Sequence, residues 1–141
     1  PPATPAALLL GDLSFLHDVG GLAAAARLRR PLVLVVVNNQ GGRIFEQLPI
    51  ADAVTPQVFG HWLTPQDWQP SAVSAAFQIP HRSCSTVDQL DAALQEALAH
   101  PGATVVEALV PASGAREDHR LLQQELARRL TPSEKPPGDR P

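Results

Sequence analysis

The chain has 141 residues, a formal net charge of −3 at pH 7 and 44% hydrophobic residues, enough for one globular domain with a core. No basic stripe interleaved with aromatic residues is visible, so the composition argues against a nucleic-acid partner. No apolar run reaches the roughly 20 residues that a membrane span needs, and no signal peptide is expected. With Cys84 as the one cysteine, an intramolecular disulfide is excluded and a reducing, cytoplasmic location is expected. The absence of methionine favours a piece of a longer protein.

The first third of the chain is predicted to form a β-α-β unit. Residues 1–5 are expected to be a solvated leader, and the short apolar run Ala6–Leu10 indicates a strand buried on both faces. A helix is expected over Val19–Arg29, with Asp18 as its N-cap. Leu32–Val37 is apolar and rich in β-branched residues, which is typical of a central strand.

The middle of the chain contains a short helical pattern and a proline-rich segment. Ile44, Phe45 and Leu48 have the spacing of a short helix with one apolar face, and that spacing alone favours core residues. Residues 49–70 contain four prolines, so we expect an irregular, lid-like loop or an interface segment.

The remaining elements alternate between helix and strand, which predicts an α/β domain over residues 6–130 with a mainly parallel sheet flanked by helices. Residues 131–141 are predicted to be a disordered tail. The expected elements are a helix Ser71–Phe77, a strand His81–Ser83, a helix capped by Ser85 or Thr86, a strand Ala103–Val110, and a helix Ala115–Leu130.

Polar residues follow both strands of the first unit. Asp12 and Asn39 are 27 positions apart, about the length of one β-α-β crossover. Because such crossovers bring the ends of parallel strands to the same edge, we expect the two residues to be neighbours. A carboxylate, an amide oxygen and a carbonyl from the flexible turn Gln40–Gly42 suit Mg²⁺ and leave it about three positions for phosphate and water. With Leu13-Ser14 leading towards a helix start, the pattern predicts a Mg²⁺–diphosphate site.

The same residues carry a family resemblance. Gly11-Asp12 followed by Asn38-Asn39 at this distance resembles the thiamine diphosphate motif, GDG…NN, of the carboligase and decarboxylase superfamily. Leu13 stands where that motif has its second glycine. The resulting GDLS, with NNQGGRIF after the second strand, is similar to one branch, the 2-succinyl-5-enolpyruvyl-6-hydroxy-3-cyclohexene-1-carboxylate synthases of menaquinone biosynthesis. The likeness extends over about Pro5–Leu130, and Gly11–Leu48 carries its specific part.

The resemblance implies an enzyme domain that binds thiamine diphosphate and Mg²⁺. The implied metal ligands are Asp12, Asn39 and Gly41. The residues implied to contact the cofactor are Gly11, Leu13, Ser14 and Ile44. The residues implied to line the thiazolium and substrate pocket are Ile44, Phe45 and Leu48.

The resemblance also implies what the whole enzyme does. It would decarboxylate 2-oxoglutarate and add the resulting acyl-anion equivalent to isochorismate. The glutamate that activates the cofactor would come from a pyrimidine-binding domain of the same or a second subunit, as in a homodimer or homotetramer. Since no segment here matches that domain, this chain alone is expected to be inactive.

Two other functions stay open at this point. One is an acetolactate-synthase-like or decarboxylase domain, although those branches usually keep the motif as GDG. The other is a non-catalytic α/β assembly domain, in which Asp12 and Asn38-Asn39 are turn residues. Mg²⁺-dependent binding of thiamine diphosphate separates the enzyme readings from the assembly domain.

Three further residues stand out. His17 follows Asp12 closely enough for a role in the site, whereas the other histidines are scattered and form no zinc pattern. Cys84 is expected to be a small core residue. Glu107 interrupts an apolar strand, and the sequence offers no explanation for it.

Overall fold

The computed structural model describes residues 4–130, and these form a four-stranded parallel sheet flanked by helices. The predicted α/β class is therefore confirmed. Residues 1–3 of the expected leader and the predicted tail lie outside the described residues. No helix within the described part is both long and apolar enough to cross a membrane.

In chain order the elements are β1 (Ala6–Gly11), α1 (Asp12–His17), a 3-10 turn (Val19–Gly21), α2 (Leu22–Ala25), β2 (Leu32–Asn38), a 3-10 helix (Arg43–Gln47), α3 (Ile50–Ala53), α4 (Pro56–Leu63), α5 (Pro70–Ala76), β3 (His81–Cys84), α6 (Val87–Ala99), β4 (Ala103–Leu109) and α7 (Ala115–Leu130).

The sheet places the ends of all four strands at one edge. Its order is β1-β2-β4-β3 and every pairing is parallel. Gly11 aligns with Val37, and Asn38 aligns with Leu109. The residues that follow β1 and β2 are therefore neighbours, as the crossover argument predicts.

The core lies on both faces of the two central strands. Because side chains alternate along a strand, Val33 and Val106 face one layer with Cys84, Ala93 and Ala97. The predicted core position of Cys84 is confirmed by its burial. The opposite layer is larger, and its buried members are Phe15, Leu22, Ala25, Leu34, Val36, Ile79, Ala103 and Val105.

The first strand differs from its prediction. β1 lies at the edge of the sheet, so Leu8 and Leu9 are 51% and 70% exposed instead of buried on both faces. An unbroken apolar run does not distinguish an edge strand from a central one, since that difference depends on which strands lie beside it.

The helix predicted over Val19–Arg29 is also placed differently. Helical backbone already begins at Asp12, breaks at Asp18, and ends with α2 at Ala25. The side chain of Asp18 makes no capping hydrogen bond. Gly20-Gly21 explains the break, because two glycines in succession are poor helix formers.

The prediction that residues 49–70 form an irregular loop is wrong, because the segment contains two short helices. These are α3 and α4, and α4 begins with Thr55 as N-cap and Pro56 in its first turn. Proline is favoured at that position because its missing N–H would have no helical partner there. Arg116 of α7 binds both carboxylate oxygens of Asp52 in α3, at 2.8 and 2.6 Å, and these bonds lower the pKa of that carboxyl. The role of this segment as a lid or interface stays a prediction.

The later elements follow their predictions to within a residue or two. α5, β3, β4 and α7 lie where the sequence places them. Thr86 caps α6 by accepting a hydrogen bond from the Gln89 N–H at 3.2 Å, while the Gln89 side chain accepts from the Ser85 N–H at 2.9 Å. Because the Gln89 side chain accepts from Ser85 and not from the N–H of Thr86, the two bonds form a variant of the capping box that is shifted by one residue.

The burial of β2 predicts that replacing valine by alanine affects the stability of the protein differently at two positions. Val33 is 0% exposed and Val87 is 80% exposed. We expect Val33→Ala to lower the free energy of unfolding by about 2 kcal/mol, because it removes two buried methyl groups and leaves a cavity. Val87→Ala, the control, should change it by less than about 0.5 kcal/mol. Urea unfolding measures both, and equal effects would contradict the assigned burial.

Candidate functional site

Asp12 is the buried acid at the carboxyl edge of the sheet. It begins α1 directly after β1 and is 4% exposed. Its two carboxylate oxygens accept hydrogen bonds from separate main-chain groups: Oδ1 from the Leu13 N–H at 2.8 Å and Oδ2 from the Gly41 N–H at 2.7 Å. The second bond joins the end of β1 to the turn after β2, which confirms that Asp12 lies beside that turn.

The turn after β2 has an unusual backbone. Gln40 and Gly41 both have positive φ, 63° and 118°. A Cβ atom at Gly41 would lie 2.3 Å from the Leu63 carbonyl oxygen, which is incompatible with a side chain. The Gly42 N–H donates to the same carbonyl at 2.7 Å. The end of α4 therefore packs tightly against the turn, and only glycine fits at position 41.

The oxygen atoms of this turn differ in their availability. The Gly41 carbonyl accepts the Arg43 N–H at 2.8 Å, and the Asn39 carbonyl accepts Arg43 Nε at 3.2 Å. The Asn39 side chain makes no hydrogen bond to any part of residues 4–130. Its amide oxygen is free for a ligand, and the Gly41 carbonyl keeps a second lone pair.

These donors fit a hard cation. A carboxylate, an amide oxygen and a carbonyl oxygen are the ligands that Mg²⁺ or Ca²⁺ prefer, and three protein oxygens leave an octahedral ion about three positions for phosphate and water. Asp12 is already buried beside the turn that carries the other two donors. The carboxylate and the turn that carries the other two donors are therefore adjacent.

Three of the other predicted cofactor contacts, Gly11, Leu13 and Ser14, are neighbours of Asp12 in the chain. Gly11 ends β1, and a Cβ atom there would meet nothing within 4 Å. Leu13 and Ser14 form the first turn of α1, where Ser14 is exposed. His17, at the end of the same helix, is exposed as well. Gly11, Leu13 and Ser14 thus lie at the open edge of the sheet.

The predicted apolar face of Ile44, Phe45 and Leu48 does not form part of the core. Ile44 is 63% exposed and Leu48 is 44% exposed, in and just after the 3-10 helix. Phe45 packs edge-on against Trp62 of α4, with ring centroids 5.6 Å apart. The interpretation as core residues is wrong, because a 3-10 helix of one and a half turns carries them along the surface. Their role in a cofactor or substrate pocket stays a prediction.

The structure also reveals a polar cavity that sequence reasoning missed. Its volume is about 420 Å³, and its walls include Asp12, Asn38, Gln40, Trp68 and Glu107. Glu107, in the central strand β4, is 5% exposed, so its carboxylate is buried. One acidic residue in an otherwise apolar strand is the sequence signal for this cavity. The hydrogen-bond partners of Glu107 lie on two other strands, which the sequence pattern does not reveal.

Cys84 of β3 is buried, and its environment makes the thiol unreactive. Burial raises the pKa of its thiol, and the nearby Glu107 carboxylate raises it further. A thiol with a raised pKa holds little thiolate at neutral pH, so it is a poor nucleophile. This agrees with the expected role of Cys84 as a core residue.

The tight approach at Gly41 predicts a strong effect of a single methyl group. Gly41→Ala should destabilise the protein by about 2 kcal/mol or more, because the new Cβ meets the Leu63 carbonyl and the φ value disfavours alanine. Gly20→Ala is the matched control, since a Cβ there meets nothing within 4 Å. Chemical unfolding of both variants tests the difference, and a Gly41→Ala protein as stable as the control would refute the turn geometry.

Comparison with known proteins agrees with this architecture. The family described as thiamine pyrophosphate enzyme, C-terminal TPP binding domain, matches residues 2–108. A 2-succinyl-5-enolpyruvyl-6-hydroxy-3-cyclohexene-1-carboxylate synthase of Sorangium cellulosum is 43% identical over 113 residues, covering 77% of this chain and 18% of the relative. A protein of the same name from Synechococcus sp. (strain JA-3-3Ab) is 42% identical over 120 residues, covering 85% and 19%. The chain spans about a fifth of the length of these curated relatives.

Solved structures share the fold. Benzoylformate decarboxylase from Polynucleobacter necessarius superposes with a TM-score of 0.67 at 27% identity, covering 77% of this chain and 20% of that one. A thiamine diphosphate-dependent 4-hydroxybenzoylformate decarboxylase of Rhodococcus jostii RHA1 gives a TM-score of 0.64 at 20% identity, covering 77% and 20%, and that likeness concerns the fold alone.

Proposed function

The chain belongs to the thiamine pyrophosphate enzymes, as a C-terminal TPP-binding domain, and from this premise we propose that it binds the diphosphate of thiamine diphosphate (the same cofactor) through Mg²⁺. Asp12, Asn39 and Gly41 are the proposed metal ligands. Gly11, Leu13, Ser14 and Ile44 are the proposed cofactor contacts.

One observation carries the metal assignment. The buried Asp12 carboxylate accepts the Gly41 N–H at 2.7 Å, so a charged oxygen lies beside the turn that bears the other two proposed ligands. A buried carboxylate without a counter-charge is costly, and a bound cation would supply that charge. The ion would in turn draw the negatively charged diphosphate to this edge of the sheet.

In this proposal the cofactor and the protein have separate roles. When bound, the cofactor supplies the carbanion chemistry of decarboxylation and carbon–carbon bond formation. The chain's own residues bind and orient it: Asp12 and the turn through the metal, and Leu13 and Ser14 at the phosphates. Ile44, Phe45 and Leu48 are proposed to shape an apolar wall next to the reacting atoms, and two of them are exposed and available for such contact.

For the full-length protein we propose carboligation in menaquinone biosynthesis. Relatives of that name are 34–43% identical to this chain over most of its length. The proposed reaction decarboxylates 2-oxoglutarate and joins the remaining four-carbon unit to isochorismate. A pyrimidine-binding domain of the same or a second subunit would complete the site, in a homodimer or homotetramer located in the cytoplasm.

The metal assignment predicts Mg²⁺-dependent cofactor binding that requires Asp12. In calorimetric titration of the full-length protein, we expect thiamine diphosphate to bind with Mg²⁺ and not after chelation. Asp12→Asn should weaken binding about 100-fold, roughly 2.8 kcal/mol, because it removes the charged ligand. Asp88→Asn in α6 is the control for the loss of one carboxylate. Binding that persists in Asp12→Asn would exclude this metal site.

The second domain and the substrates are tested by activity. The full-length protein should consume 2-oxoglutarate and isochorismate together, whereas the 141-residue chain alone should turn over neither. Pyruvate and benzoylformate test the acetolactate-synthase-like and decarboxylase alternatives. Turnover by the isolated chain would contradict the proposed second domain, and turnover of pyruvate alone would favour an alternative substrate.

A further inference from the structure

Glu107 is a buried carboxylate that the proposed metal and cofactor contacts do not use. It lies in β4, one of the two central strands, with Val36 of β2 and Ser83 of β3 as its register partners. Its exposure is 5%, and burying a charged group is costly unless its hydrogen bonds are satisfied. Its position therefore needs an explanation beyond packing, since an apolar residue would fill a strand interior at lower cost.

Both oxygens of Glu107 have partners on the neighbouring strands. Oε1 accepts a hydrogen bond from the Asn38 side-chain amide at 2.6 Å. Oε2 lies 3.0 Å from Nε2 of His81 in β3. The carboxylate therefore connects the last residue of β2 with the first residue of β3.

The Asn38 side chain connects Glu107 to the turn after β2. While its amide nitrogen donates to Glu107, its amide oxygen accepts the Gln40 N–H at 3.1 Å. A flipped amide would place an acceptor against an acceptor and a donor against a donor. Glu107 and the Gln40 N–H therefore select the same orientation of Asn38.

The turn that bears the proposed ligands is thus held from two sides. Gln40 has a left-handed φ of 63°, which costs energy in a residue other than glycine, and its N–H is bonded by Asn38. The next N–H, that of Gly41, is bonded by Asp12 at 2.7 Å. Asn39 lies between the end of β2 and these two anchored N–H groups, so its free amide oxygen is presented from a fixed backbone.

We infer that Glu107 is a positioning residue for the cofactor site. It orients Asn38, Asn38 holds the Gln40 N–H, and the turn keeps Asn39 and Gly41 in place for the metal. Glu107 itself touches neither metal nor cofactor in this arrangement. This inference rests on the proposed function, because its consequence for binding requires that the turn be the Mg²⁺–diphosphate site.

The first test needs no cofactor. Hydrogen exchange of the unliganded full-length protein reports how firmly the Gln40 and Gly41 amides are held. Glu107→Leu should make both exchange about tenfold faster, whereas Glu107→Gln should not, since its side-chain oxygen still accepts from Asn38. Glu96→Leu is the control, because it removes an exposed, ion-paired glutamate from α6. Unchanged exchange in Glu107→Leu overturns the inference.

The second test measures the affinity for thiamine diphosphate with Mg²⁺. Glu107→Leu and Asn38→Ala should each weaken binding about 10- to 100-fold, the usual cost of losing a residue that orients a metal ligand. Glu107→Gln should stay within about threefold of the wild type. If both residues act through one connection, the double variant should be no weaker than the single ones. Additive losses, or a Glu107→Gln protein as weak as Glu107→Leu, refute the connection.

Two controls separate the possible failures. Thermal unfolding of the unliganded variants reveals a purely structural role, in which stability falls while the affinity of the folded protein stays unchanged. If Glu107→Leu does not fold, Asn38→Ala and Glu107→Gln still decide the outcome. If the wild type binds no Mg²⁺–thiamine diphosphate, the proposed function fails and the inferred consequence for binding fails with it, while hydrogen exchange still decides whether Glu107 holds the turn.

Discussion

The hydrogen bond between the Asp12 carboxylate and the Gly41 N–H is the contact on which the site depends. It exists because β1 and β2 pair in parallel with Gly11 opposite Val37, so that the residues after both strands meet. Asp12 is buried and has to find donors there, and the turn has an N–H that no strand partner takes. The geometry of a local β-α-β unit thus sets the geometry of the proposed ligand site.

Around that contact, the turn is restrained by elements distant in sequence. The end of α4 leaves no room for a side chain at Gly41, and β4 holds Asn38 through Glu107. Each restraint removes conformations that the turn could otherwise adopt before a ligand arrives. A site whose donors are fixed in advance loses less entropy when it binds, which is the advantage of building it on a sheet edge.

The parts of this arrangement that the sequence predicts are those encoded over short distances. The spacing from Asp12 to Asn39 is enough to predict one crossover and a shared edge, and the cap at Thr86 is a local pattern. The edge position of β1 and the partners of Glu107 depend on strand order, which no local pattern contains. The four prolines of residues 49–70 do not by themselves predict an irregular loop, because proline starts a helix as readily as it interrupts one. The burial of Ile44 cannot be predicted from the sequence, since a short apolar pattern does not reveal which surface covers it.

The exposed position of β1 has a consequence for the behaviour of the chain in solution. Its six residues pair on one side with β2, and within the described residues no strand lies on the other side. No lysine, proline or bulge interrupts Ala6–Gly11, although such features commonly guard free strand edges. The exposed side chains of Leu8 and Leu9 add apolar surface along this free edge of the sheet. At high concentration the isolated domain therefore offers its free β1 edge as a template for intermolecular strand pairing. Whatever covers this edge also protects the protein from self-association.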